Sequence, residues 1–249
     1  MDKTGKDMLR VVRGSLSLLF LLHFCPLTSQ SPADLSYLEI KDEAEERYGP
    51  SADLFNGEKY YYPYRGAGGD PFFEVGDNHP ASIQIKGKLY ENQTVRYDIC
   101  NQLMVLDFMD PSGAKGSIVL RNEWLDFLIL GGTHFKVFQD ENGTERFGQV
   151  IFEDTFSCVY FWNKKYLPDL HLGENRYFFS EPIRETSIVV HGQSIPYTGN
   201  RSFLKCFSSQ ETGHIKKYLK ENRIRVNRAT DLEMQSLMEY INHLSGDDE

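Results

Sequence analysis

Short apolar runs recur along residues 80–198, each closed off by Gly, Asn, Asp or Pro after eight to twelve residues. This spacing belongs to antiparallel strands joined by turns, since it leaves no room between runs for a crossover helix. Candidate strands are Ser82–Ile85, Val95–Ile99, Leu103–Phe108, Ser117–Leu120, Phe127–Leu130, Phe135–Phe138, Phe147–Phe152, Cys158–Trp162, Arg176–Phe179 and Ser187–Val190. The clearest hairpin joins Phe135–Phe138 to Phe147–Phe152, because Asn142-Gly143 supplies the positive φ of a tight turn. Val159-Tyr160-Phe161-Trp162 is apolar on both faces, which places that strand centrally. A content of 17 Phe and 14 Tyr against 2 Trp suits such a body, since aromatic side chains fit a pleated surface. The expected fold is α+β and mainly β: an antiparallel β-sandwich or partly closed barrel with C-terminal helices packed on it.

Beyond Tyr197-Thr198-Gly199 the period changes from two to nearly four. Ser202–Phe207 gives one short turn. Ser208 with Glu211, and Thr230 with Glu233, have the spacing of capping boxes that open two further helices. Ile215, Tyr218 and Leu219 form the stripe of the first, and Met234, Leu237, Met238, Ile241 and Leu244 that of the second. Apolar stripes need cover, so these helices form a tail docked on the sheet.

The N-terminus carries Lys3, Lys6, Arg10 and Arg13 before an apolar run from Leu16 to Phe24, then Pro26, Thr28 and Ser29. This is the pattern of a secretory signal peptide, with a cut expected after Ser29. The run is too short for a retained membrane span. Lipid attachment at Cys25 is disfavoured by the bulky Phe24 before it. The expected organisation is a signal peptide over 1–29, an acidic lead-in over 30–55, a β body over 56–198, a helical tail over 199–245 and a disordered end over 246–249. Cleavage removes four basic and two acidic residues from totals of 27 and 36, leaving 23 against 34, so the net charge moves from −9 to −11. Such a balance excludes broad, sequence-independent nucleic-acid binding, which needs cations to neutralise phosphates.

Chemistry-bearing patterns are sparse. Cys100, Cys158 and Cys206 have no zinc-like spacing and read as small buried hydrophobes, or as one bridge with a spare thiol. Neither H-E-x-x-H nor G-x-S-x-G occurs. Asp169, His171 and Glu174 read as a polar loop, and Gly66-Ala67-Gly68-Gly69 as a flexible turn without the lysine of a phosphate loop. Gly131-Gly132-Thr133-His134 reads as a bend between strands. Asn92-Gln93-Thr94, Asn142-Gly143-Thr144 and Asn200-Arg201-Ser202 match the glycosylation triplet but fall at expected turns. No catalytic residue, metal site or cofactor is expected.

Two features suggest binding. Tyr60, Tyr61, Tyr62 and Tyr64 combine flat apolar faces with polar tips, suited to stacking a sugar or covering a partner. The same run also reads as an edge strand packing one face inward. Lys216, Lys217, Lys220, Arg223 and Arg225 form a basic stretch in an otherwise acidic chain, suited to an anionic surface or to solvent and a helix C-terminus.

Asn56-Gly57 with the tyrosines beyond it, Gly69-Asp70-Pro71-Phe72-Phe73, Tyr97-Asp98-Ile99, Ser202-Phe203-Leu204-Lys205 and Ile215-Lys216-Lys217-Tyr218-Leu219 occur in that order. In this the chain resembles a group of uncharacterised secreted β-rich proteins from Bacteroidota, over residues 53–245. The resemblance implies an exported bacterial protein of the periplasm, the cell envelope or the medium, and brings no catalytic residues with it. The expected function is a non-enzymatic binding or envelope-associated protein, its partner an envelope component or another protein. Alternatives are a glycan hydrolase using paired carboxylates, such as Glu153 and Asp154, and a carrier of small lipids.

Overall fold

The computed structural model describes residues 51, 53–55, 57–73, 80–110, 112–168 and 176–246. The expected signal peptide, with Cys25, nearly all of the acidic lead-in, Asn56, the Asp169–His171–Glu174 loop and the last three residues lie outside them.

Among the described residues thirteen strands precede the C-terminal helices: β1 (Glu58–Lys59), β2 (Ala81–Ile85), β3 (Lys88–Asp98), β4 (Leu103–Met109), β5 (Lys115–Val119), β6 (Leu125–Leu130), β7 (Thr133–Gln139), β8 (Glu145–Glu153), β9 (Ser157–Asn163), β10 (Tyr166–Pro168), β11 (Tyr177–Phe179), β12 (Ile183–Val190) and β13 (Gln193–Tyr197). Eleven form one antiparallel ladder in the order β1-β5-β4-β3-β2-β6-β7-β8-β9-β12-β13, and β10 and β11 form a separate hairpin.

Turn chemistry sets the registers. Three hairpins close through two residues that both have positive φ: Lys86-Gly87, Gly131-Gly132 and His191-Gly192. Gly131-Gly132 is thus a bend, as expected. Two longer loops share one device. Asp110 Oδ1 accepts from the backbone N–H groups of Ser112 and Ala114, and Asp140 Oδ1 from those of Asn142 and Thr144. In both, the glycine three residues after the Asp has positive φ. The carboxylate satisfies the loop's amides while the glycine turns the chain.

The long strand β3 folds the ladder into two layers. Its first half pairs with β2 and its second half, from Thr94, with β4. Asn92, with φ 57°, stands at the change, where the β2–β3 register slips. Tyr97 therefore reaches across to strands well down the ladder: its ring lies 5.4 Å from Phe135 and 5.5 Å from Phe147. Its hydroxyl sits 3.1 Å from the Phe147 carbonyl. Leu106, Ile118, Leu128 and Leu130 fill the space between the layers. No ladder joins β1 to β13 among the described strands, so the architecture is a folded open sheet and not a closed barrel. Its far end curls the opposite way, bringing β13 within 8 Å of β7 and enclosing Phe138, Val159, Phe161 and Val189.

Helices α1 (Asn200–Phe203), α2 (Ser209–Glu221) and α3 (Asp231–Gly246) cover the rest of the inner face. Both expected capping boxes form: Ser208 Oγ accepts from Glu211 N, and Thr230 Oγ1 from Glu233 N. Ile215, Met234, Leu237, Met238 and Ile241 are fully buried against Cys158, Tyr160 and Ile188 of the sheet. Alternation puts Cys158, Tyr160 and Trp162 of β9 on one face. Trp162 packs with the folded-over layer and the other two with the helices, so the two covers lie side by side. Gln149 stands where they meet, accepting from Trp162 Nε1 at 2.8 Å and donating to Asp231 Oδ2 at 2.7 Å.

Candidate functional site

The tyrosine run starts as the expected edge. Tyr60 N donates to Ser117 O, continuing the pairing of β1 with β5. Pro63 has no N–H to extend that pairing, and the chain turns away. The four side chains then take different places. Tyr60 is half-buried, its hydroxyl donating to Asp98 Oδ2 at 3.1 Å. Tyr61 is 72% exposed, with the Lys59 ammonium 5.2 Å from its ring centre. Tyr62 and Tyr64 meet edge to face at 5.7 Å, and Tyr64 also packs against Tyr166 and Phe179, both at 4.8 Å.

These contacts join the tyrosine run to the β10–β11 hairpin. Tyr166 stacks on Tyr177 at 4.8 Å with an interplanar angle of 17°. Tyr62, Tyr166 and Tyr177 keep 37–39% of their surface in solvent, while Phe178, paired with Leu167, faces the other side of the hairpin. Tyr62 stacks on Phe72 at 6.4 Å, and the Arg96 guanidinium caps Phe72 at 4.3 Å. A continuous surface of rings results, from segments distant in sequence. Tyr60, Tyr61, Tyr62 and Tyr64 contribute to it unequally, as one anchor, one outlying ring and two platform members.

Beneath the rings lies a buried polar frame. Asp98 is fully buried and accepts from the Tyr60 hydroxyl, the N–H groups of Cys100 and Asn101, and Asn101 Nδ2. Lys164, also buried, donates to the carbonyls of Asp70 and Phe72 at 3.1 and 2.8 Å and pairs with the Asp70 carboxylate at 3.6 Å. Gly66–Gly69 begins with the expected turn, Ala67 N donating to Tyr64 O, and then ties to the hairpin: Gly68 N donates to Tyr177 O, and Phe179 N to Gly68 O.

Burial raises the phenol of Tyr60, helped by the Asp98 carboxylate, and that of Tyr62, helped by Asp70 and Asp98. Burial likewise pushes Tyr64 up to about 12. All three remain neutral at physiological pH, the Tyr60 proton going to Asp98 Oδ2 and the Tyr64 proton to Asn101 Oδ1. The surface offers flat apolar faces and neutral hydroxyl tips.

The basic stretch divides. Lys216, Lys220, Arg223 and Arg225 line one groove of about 790 Å³, joined by Arg201 and floored by Leu204, Leu219 and Ile224. Lys217 lies outside it and pairs with Glu221 at 4.0 Å.

Other candidates are structural. Cys100, Cys158 and Cys206 are unbridged. Burial pushes the Cys158 thiol up to about 12 and that of Cys206 up to about 11, far from the thiolate a nucleophile needs. Among the described residues no cluster of His, Cys, Asp and Glu has metal-binding geometry. Glu153 pairs with Lys136 and Asp154 accepts from Asn242, so the two acids serve different neighbours. A second groove, of about 510 Å³, brings Asp140 and Glu185 together around Arg146, at 4.0 and 2.7 Å. Asp140 also holds its loop, and Glu185 accepts from Asn163, so both acids are engaged by N–H donors already in place. The Asn200 amide is engaged at both ends, donating to Ile224 O and accepting from Val226 N, which accounts for its triplet structurally.

Sequence reasoning missed Tyr166, Tyr177, Asp98 and Lys164 as site residues. Tyr166 sits in a three-residue strand, too short for any period to register. A buried lysine gives no local signal at all. Among the described residues no helix is long and apolar enough to cross a membrane. Comparison with protein-family models, with curated proteins and with solved structures finds no match to this chain.

Proposed function

We propose that this chain is an exported binding protein that holds glycan on the surface formed by Tyr62, Tyr64, Tyr166 and Tyr177, without covalent chemistry of its own. One observation carries the reading: Tyr62, Tyr166 and Tyr177 stand exposed beside a frame of buried polar groups. An exposed patch of this kind marks a binding site, because leaving apolar rings in water without a partner is unfavourable. Phenols suit sugars, whose C–H faces stack on rings while their hydroxyls exchange hydrogen bonds with the tips. The signal-peptide pattern and the resemblance to secreted proteins of Bacteroidota fit a protein that meets glycan outside the cytoplasm.

The test is calorimetric titration of the protein lacking residues 1–29 with a panel of soluble envelope oligosaccharides. At least one should bind, and Tyr62→Ala and Tyr177→Ala should each weaken it by roughly 1–2 kcal/mol, as expected for loss of a stacking ring. Binding unchanged in both variants contradicts the location. Release of shortened oligosaccharide during the titration contradicts the non-catalytic part.

A further inference from the structure

The cationic groove beside α2 has a composition that folding alone does not require. Five cations line it, from Arg201, Lys216, Lys220, Arg223 and Arg225, and no acidic residue does. All five side chains are exposed, and none has an acidic partner among the described residues. Three arginines outside the groove are held by acids, Arg96 by Asp107, Arg146 by Glu185 and Arg184 by Asp231. The helix dipole favours Lys220 and Arg223 near the C-terminus of α2. It does not account for Lys216 in mid-helix, for Arg201 on α1 or for Arg225 beyond the end.

The end of α2 adds an independent observation. Ile224 N donates to Leu219 O and Arg223 N to Lys220 O, the paired bonds of a Schellman motif, with Ile224 and Leu219 both buried. In that motif the residue at positive φ is ordinarily glycine. Here it is Arg223, with φ 55°. A long cation thus occupies the position where a side chain is least welcome, and it lines the groove. The Asn200 amide ties Ile224 and Val226 to α1, so the two walls are held together.

We propose that this groove binds the phosphate-bearing headgroup of an anionic lipid, the rim cations taking the phosphate and the partly exposed Leu204 of the floor taking the first methylenes. Leu204 distinguishes a lipid from a free anion, which would gain nothing from an apolar contact. Lys217, on the same helix but outside the groove, is the built-in control.

Sedimentation of the protein with phosphatidylcholine vesicles, with and without phosphatidylglycerol, tests this directly. Binding is expected only with phosphatidylglycerol. Lys220→Ala and Arg223→Gly should each lower partitioning roughly fivefold, the loss of one cation near an anionic surface, while Lys217→Ala leaves it unchanged. Arg223→Gly should not lower Tm, since glycine is at ease at this backbone conformation. The proposal is overturned by equal binding to vesicles without phosphatidylglycerol, or by an equal loss in Lys217→Ala. Wild-type binding in the two groove variants overturns it as well. So does displacement by inorganic phosphate beyond that given by chloride at matched ionic strength, which would make the ligand a free anion. None of these outcomes bears on the aromatic surface.

Discussion

Single residues decide how the aromatic surface stands. Asp98 has no exposure, yet it holds the turn after β3 and the Tyr60 hydroxyl through its two oxygens. Replacing it with Ala strands three N–H donors and one hydroxyl, and should cost about 3 kcal/mol or more, read as a lower denaturation midpoint in urea. His134 acts through pH. Burial, with Lys136 nearby, holds its imidazole below the ordinary histidine range. The unfolded chain then takes up a proton at a pH where the folded chain does not, so stability is full above the ordinary histidine pKa and falls as pH drops through it. His134→Gln should show a smaller loss of Tm on acidification across that window than the wild type. The thiols differ as well: in the native protein an alkylating reagent should modify Cys100 well before Cys158, which reacts only on unfolding.

Elements divide into those that advertise themselves and those that lean on others. Capped helices and the central strands were legible in advance, because capping boxes, i/i+3/i+4 stripes and alternation are local codes. Strands β1, β10 and β13 and the first half of β3 were not. Each is short, polar or at an edge, and β13 carries Pro196, tolerable there because an edge N–H has no required partner. The same division applies to the site. Four clustered tyrosines were conspicuous, whereas their partners Tyr166 and Tyr177 come from a separate hairpin joined to them only in three dimensions. Ser208→Ala, which removes the cap of α2, should cost about 1 kcal/mol. Gly148 has a stricter role. It lies in β8 where a Cβ would sit 2.2 Å from Val159 Cγ1 and 2.9 Å from Phe138 Cδ2. Gly148→Ala should therefore destabilise by about 1–3 kcal/mol through overpacking, seen as a lower Tm.

At the scale of the whole molecule one sheet receives two covers, the folded-over β3–β5 layer and the helices, with Gln149 at their seam. The helical tail is part of this body, since Cys158, Tyr160, Ile188 and Tyr197 have the helices as their cover. The aromatic surface and the cationic groove belong to different parts of the architecture, one built on the β10–β11 hairpin and one on the helices. That division gives the two proposed ligands, glycan and lipid, separate residues. The most direct measurement is a crystal structure of the chain with an oligosaccharide that binds it in solution. A sugar ring stacked on Tyr62, Tyr166 or Tyr177, with a phenol hydroxyl hydrogen-bonded to it, is the expected result. The same oligosaccharide seated elsewhere, with these rings bare, would contradict the glycan-binding assignment.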